Sequence, residues 1–290
     1  MAVLIFLKDL LLATLSQMAS LLAGLIVFGL LMQFVSQLTF KSLERAFGSK
    51  GVYLVAWLGT PLHELSHALF CLIFGHRIES MSLFRPDPVT GTLGYVYHKW
   101  NPKNPWHVLG NFFIGVGPMV LGSAVLFALF YFLIPGSARV WDSINASVSA
   151  VSRDSLLAGY FGVFRDSTLA IIKLIFTPAS LSLWQFWFFL YLSSCVASNI
   201  RLSWADFKGS LSGLGCIVLI FILMNLILLI IGYSNDKFFP AAVASLGAVY
   251  SVLILALIMA LIGFVLIYLL AAAWYRWRYK AILNPFSWLG

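Results

Sequence analysis

His63, Glu64 and His67 stand in the stretch "GTPLHELSHALFCLIFG", residues 59–75, at the spacing H-E-x-x-H. On a helix, residues four apart lie about 40° and about 6 Å from one another. The two imidazoles therefore point the same way, one turn apart, and can grip one zinc ion. Glu64 beside them can reach a water on the metal, the position of a general base. The surrounding residues are those of an apolar helix, and an ionisable group inside a bilayer is costly enough to mark a functional site. The bland alternative is a hydrogen-bonded polar cluster between helices.

A catalytic zinc usually takes three protein ligands and leaves one position for water. The third must come from a short inventory of three glutamates and seven aspartates. Ile73 stands six residues after His67, so a metzincin pattern fails. On an unbroken helix His76 would lie about 180° round from His67 and about 13 Å along it. Glu79 falls in a predicted hairpin. Asp87 sits in a turn, Asp142, Asp154 and Asp166 in a long loop, and Asp236 beside a loop lysine. Asp206 lies in "ASNIRLSWADFKGSLSG", between two apolar segments. Ser, Asn, Trp and Gly there predict irregular backbone, which membranes tolerate where it is buried in protein or lines a cavity. Asp206 is either a surface acid of a cytoplasmic loop or, by elimination, the third ligand.

The elements that must position these residues follow from composition. The 290 residues are 61% hydrophobic and 10% charged, more apolar surface than a soluble domain can hide. The sequence predicts an all-α polytopic membrane protein with about six transmembrane helices. They cover residues 20–38, 51–75, 109–134, 183–200, 211–232 and 241–274. The segment holding Lys8 and Asp9 either extends the first helix or lies in the interface. The N-terminus is apolar without a basic n-region, which reads as a retained helix, not a cleaved signal peptide. "IESMSLF" and "TLGYVYH", joined by "RPDPVTG", predict a membrane-associated β-hairpin over about 77–99, directly after the motif helix. Residues 135–182 predict short amphipathic helices on one membrane face. The whole chain reads as one domain, with a core over about 51–209 and C-terminal helices over about 211–274.

Pro61 either kinks the motif helix or starts it, with Thr60 as N-cap. Cys71, Cys195 and Cys216 read as small buried hydrophobes. His98 and His107 read as interfacial or hydrogen-bonding residues, not ligands. Asn145 opens a glycosylation sequon, which matters only if its loop is lumenal in a eukaryote. The charge of +8 is not laid out as a basic domain with interleaved aromatics, which argues against nucleic acid as a partner. Lys and Arg are denser in the loops that share a side with the termini, so both termini are expected in the cytoplasm. The compact architecture points to a bacterial plasma membrane.

Taken together, "HELSHALFCLIFG", the hairpin, "NFFIGVGPMVLG" and "SNIRLSWADFKG" resemble the site-2 protease family of intramembrane zinc metalloproteases. The resemblance covers about 57–209, roughly half of the chain. It implies His63, His67 and Asp206 as zinc ligands and Glu64 as the base. It further implies Asn199 as a residue that holds substrate near the metal, and Gly117 and Pro118 as the family's glycine-proline element. The hairpin would present an edge strand to substrate, either the one from Thr92 to His98, through Thr92, Gly94 and Tyr95, or the one from Ile78 to Phe84. The chain departs from the family in three ways. Its aspartate motif has no prolines, Lys208 stands where glycine is common, and Asn199 is one residue closer to Asp206. The 290 residues are not expected to include a PDZ or CBS domain. The implied activity is hydrolysis of a peptide bond in a membrane-protein substrate. A membrane zinc hydrolase of lipid amides or esters, or a non-catalytic zinc-binding membrane protein, would use the same metal residues.

Overall fold

The structure, a computed structural model, describes residues 2–87, 89–149, 156–231 and 235–286. Pro88 of the predicted turn, Asp154, and Gly232 at the predicted end of the fifth span lie outside the described residues. Among those described, the chain is mostly helical, with one two-stranded antiparallel sheet. Helix α1, Ala2–Phe47, is one unbroken element of 46 residues, so the segment around Lys8 extends the first predicted span. At about 1.5 Å of rise per residue, it is far longer than a hydrocarbon core of about 30 Å. Gly48, with φ of 67°, turns the chain into α2, Ser49–Ile73, which carries the motif. Pro61 lies inside α2, so Thr60 does not cap a new helix. The Thr60 hydroxyl instead donates to Asn199 Oδ1 at 3.1 Å.

The hairpin forms as β1, Arg77–Ser82, and β2, Tyr95–Lys99. Arg77 pairs with Lys99 and Ser82 with Tyr95, with an irregularity between Ile78 and Ser80. The second strand begins three residues later than predicted at Thr92. Cross-chain bonds nevertheless continue towards the turn, from Arg85 N–H to the Leu93 carbonyl (2.7 Å) and from Asp87 N–H to the Thr92 carbonyl (2.8 Å). In the turn, Asp87 accepts from the Val89 N–H and the Thr90 hydroxyl, which hold its carboxyl below the usual carboxylate range.

Helix α3, Pro105–Leu133, starts where Asn104 accepts from the Trp106 N–H and proline takes the first position. The long connection becomes α4 (Ser137–Ser149), α5 (Leu156–Ile175) and α6 (Pro178–Leu181). Ile144, Val163, Ile171 and Ile175 of this segment bury their side chains in the central core, so it packs on the bundle. Helix α7, Trp184–Ala197, has 14 residues, where the sequence predicted a spanning segment. Its length of about 21 Å falls short of a hydrocarbon core. Helices α8, Trp204–Ile230, and α9, Asn235–Tyr279, complete the chain.

Among the described residues, four helices are long and apolar enough to cross a membrane: Phe6–Phe47, Pro105–Leu133, Trp204–Ile230 and Val252–Tyr279. The other two predicted spans correspond to α2, where the polar motif lowers the mean hydropathy, and to the short α7. The core joins Met32 of α1, Met119 and Phe130 of α3, Phe189 of α7 and Met259 of α9. Outside it, Leu219, Leu223, Ile227 and Ile230 of α8 are exposed, a face suited to hydrocarbon and not to water. These are the features of a polytopic membrane protein.

Candidate metal centre

The centre sits where α2, α3 and the α7–α8 junction meet. Glycines set the spacing. At Gly59 a Cβ would collide with the Cys195 carbonyl and the Asn199 amide of the α7 segment. At Gly115 of α3 it would lie 2.5 Å from the Asp206 carbonyl oxygen, and at Gly117 2.8 Å from the Phe70 ring of α2. Larger residues would push these elements apart.

The structure brings His63, His67 and Asp206 together. His67 Nε2 lies 3.2 Å from His63 Nε2 and 3.3 Å from Asp206 Oδ1, and His63 Nε2 lies 3.7 Å from Asp206 Oδ2. Two donors bound about 2.1 Å from one tetrahedral zinc lie about 3.4 Å apart, so the observed separations fit a single ion. Asp206 stands not on irregular backbone but in the first turn of α8. There it forms a capping box, its Oδ2 accepting from the Ser203 N–H at 3.0 Å while Ser203 Oγ accepts from the Asp206 N–H at 3.1 Å. The cap fixes the carboxylate and leaves Oδ1 turned to His67.

Each imidazole is held from behind. His67 Nδ1 lies 2.8 Å from the Ile114 carbonyl, and His63 Nδ1 lies 3.0 Å from the Asn199 carbonyl. A carbonyl only accepts, so each Nδ1 carries a proton, and in the neutral ring each Nε2 presents a lone pair. Metal-bound histidines are oriented in this way. The Ile114 carbonyl is available because of Pro118 inside α3. Proline has no N–H, so the helical bond that would reach back four residues to Ile114 is missing. The result is three acceptors converging with no donor among them. Such an arrangement is satisfied by a cation, and zinc suits the two nitrogens and one oxygen.

A cavity of about 710 Å³ opens from this centre. Glu64, which is buried, lines it beside the two histidines. The lining also includes Thr92, Gly94 and Tyr95, with the rest of β2 as far as His98 and none of β1. The hairpin lies directly over the motif: a Cβ on Gly94 would be 2.8 Å from Glu64 Cγ and 2.9 Å from the Ser82 and Leu83 carbonyl oxygens. Asn199 also borders the cavity, but its side chain is committed elsewhere. Its Oδ1 accepts from Thr60 and its Nδ2 donates to the Cys195 carbonyl at 3.0 Å.

Sequence reasoning passed over Arg201 and the Ile114 carbonyl. Arg201 lines the cavity with Glu64 and Asp206, its guanidinium 5.3 Å from the Phe40 ring centroid. The proline four residues after Ile114 was the available signal for the carbonyl. Comparison with protein-family models, characterised proteins and solved structures gives no match for this chain.

Proposed function

We propose that the protein is an intramembrane zinc metallopeptidase, a divergent relative of the site-2 proteases, that hydrolyses a peptide bond in or near a membrane-spanning segment. The observation that carries the reading is the acceptor-only convergence of His63, His67 and Asp206 beside Glu64, facing a cavity walled by β2. His63, His67 and Asp206 would hold the zinc, which when bound polarises a carbonyl and lowers the pKa of water. Glu64 takes a proton from the attacking water on a carboxylate oxygen and returns it to the departing amide nitrogen. Asn199 acts as a positioning residue, through its carbonyl on His63. A helical substrate hides its carbonyls, so the scissile segment must be extended. β2 pairs with β1 on one side. Its other edge can pair with a substrate strand, with Gly94 allowing the chain close to Glu64. In this reading α2 and α7 complete a six-segment core, with both termini cytoplasmic in a bacterial plasma membrane.

The test is cleavage of membrane-protein substrates by purified protein in proteoliposomes, followed by mass spectrometry of new peptide termini. Wild type should generate termini that Glu64→Gln does not, with zinc content equal in both proteins. Equal termini from wild type and Glu64→Gln would overturn the proposal, as would lipid hydrolysis that depends on Glu64 with no new termini.

A further inference from the structure

A second group of metal-binding side chains lies at the end of the motif helix. Cys71, His76 and His98 each place a ligand atom within 4.8 Å of the others. Cys71 is completely buried and His76 is 4% exposed. The group contains no carboxylate, so it is not one of the acidic patches common on protein surfaces.

Local structure explains how the three meet. Helix α2 ends in a Schellman cap. The His76 N–H reaches the Cys71 carbonyl at 2.8 Å and the Gly75 N–H reaches the Leu72 carbonyl at 3.3 Å, with Gly75 at φ of 74°. The left-handed turn folds His76 back over Cys71. That pair of positions commonly makes an apolar contact in this cap; here it carries a thiol and an imidazole. The hairpin register then adds His98, whose Nδ1 lies 3.0 Å from His76 Nδ1. His76 is oriented as a ligand would be. Its Nε2 lies 2.8 Å from the His107 carbonyl, an acceptor, so Nε2 carries the proton and Nδ1 presents its lone pair to the cluster. His107 is itself held, its Nδ1 accepting from the Asn101 N–H at 3.1 Å.

We propose that Cys71, His76 and His98 form a second zinc site, with three protein ligands and a fourth position left for water, that ties the base of the hairpin to the end of α2. One thiolate and two imidazoles suit zinc over magnesium or calcium. The site shares no ligand with the centre of His63, His67 and Asp206. Its role is to fix the strand that walls the cavity, because His98 belongs to β2 while Cys71 belongs to the motif helix.

The test uses the full chain in nanodiscs, with zinc per chain measured by mass spectrometry and cobalt(II) as a substitute probe. Wild type should carry two zinc ions, Cys71→Ser one, His67→Ala one, and the double variant none. Cobalt should give a thiolate-to-metal charge-transfer absorption in wild type and in His67→Ala but not in Cys71→Ser, because the other centre has no sulfur. Removing this zinc should also speed proteolysis within the turn around Val89–Gly91. Zinc content and cobalt spectrum unchanged by Cys71→Ser and by His98→Ala would overturn the site, leaving a histidine–histidine hydrogen bond. Zinc lost with Cys71→Ser but not with His67→Ala would keep it and sink the first centre instead.

Discussion

Two polar clusters lie inside the same apolar bundle, and they satisfy themselves in opposite ways. Between α1 and α8, Gln17 and Asn225 form a closed amide pair. Gln17 Nε2 donates to Asn225 Oδ1 at 3.2 Å, and Asn225 Nδ2 donates to Gln17 Oε1 at 2.8 Å and to Thr14 Oγ1 at 3.1 Å. Donors face acceptors in each of these bonds, and every group is neutral. At the motif, His63, His67 and Asp206 turn lone pairs towards one another, because a carboxylate only accepts and the imidazole Nδ1–H groups are already committed to carbonyls. The first cluster is complete as it stands. The second needs a cation, either a proton or a metal. Polarity within a bundle therefore does not separate a glue from a site; the direction of the hydrogen bonds does.

The contrast breaks most sharply at the centre. His67→Ala should remove the zinc of that centre and abolish cleavage. A centre that holds only a proton would leave zinc content unchanged in this variant. Glu64→Gln should keep the zinc and lower the rate by about 10²- to 10⁴-fold, the usual range for a general base. Equal zinc with near-normal rate would remove Glu64 from the chemistry.

The next prediction separates the cavity wall from the metal. Tyr95→Pro removes the strand's N–H at that position and disrupts β2, so cleavage should slow while zinc at the centre remains. Gly94→Val should act in the same direction, because its Cβ would press on Glu64 Cγ and on two carbonyls. Unchanged cleavage in both would leave the hairpin without a role in presenting substrate.

How far the sequence carried this picture differs by element. The His63–Glu64–His67 grouping was legible because it depends on one helix and a four-residue spacing. Asp206 was reachable by elimination, though its setting was misjudged. Serine at 203 and aspartate at 206 form a capping box, so α8 begins seven residues before the predicted apolar span at 211. Hydropathy marks where a helix becomes apolar, not where its hydrogen bonds begin. The span predicted over 183–200 is longer than α7 because it takes in the turn at Ser198–Asn199 and Ile200, which follow the helix's last residue, Ala197. On an unbroken helix His76 would point away from the first centre, but α2 ends at Ile73. The actual neighbours of His76 depend on Gly75 reversing the chain and on hairpin register, and neither shows in a periodicity.

A smaller effect tests why the histidine points as it does. Pro118→Ala would restore an N–H that competes with His67 Nδ1 for the Ile114 carbonyl. Outer partners of metal ligands are typically worth about 10- to 100-fold in affinity, and here the carbonyl would be shared, not removed. Zinc affinity at the centre, titrated against a competing chelator, should fall by up to about tenfold. No change would mean that the carbonyl's second lone pair serves both donors.

The amide pair supplies the smallest effect and the control. Replacing Asn225 alone by Leu leaves the Gln17 amide buried without its partner, which costs about 1–3 kcal/mol. Replacing both Gln17 and Asn225 by Leu removes the demand along with the bond, so the double variant should recover most of that loss. Interhelical hydrogen bonds in membranes average about 0.6 kcal/mol in double-mutant cycles, so the coupling should be of that order. Zinc content and cleavage should match wild type throughout, measured beside unfolding in a mild detergent. A drop in zinc in these variants would mean that the α1–α8 contact sets the position of Asp206, and that the two clusters are one device.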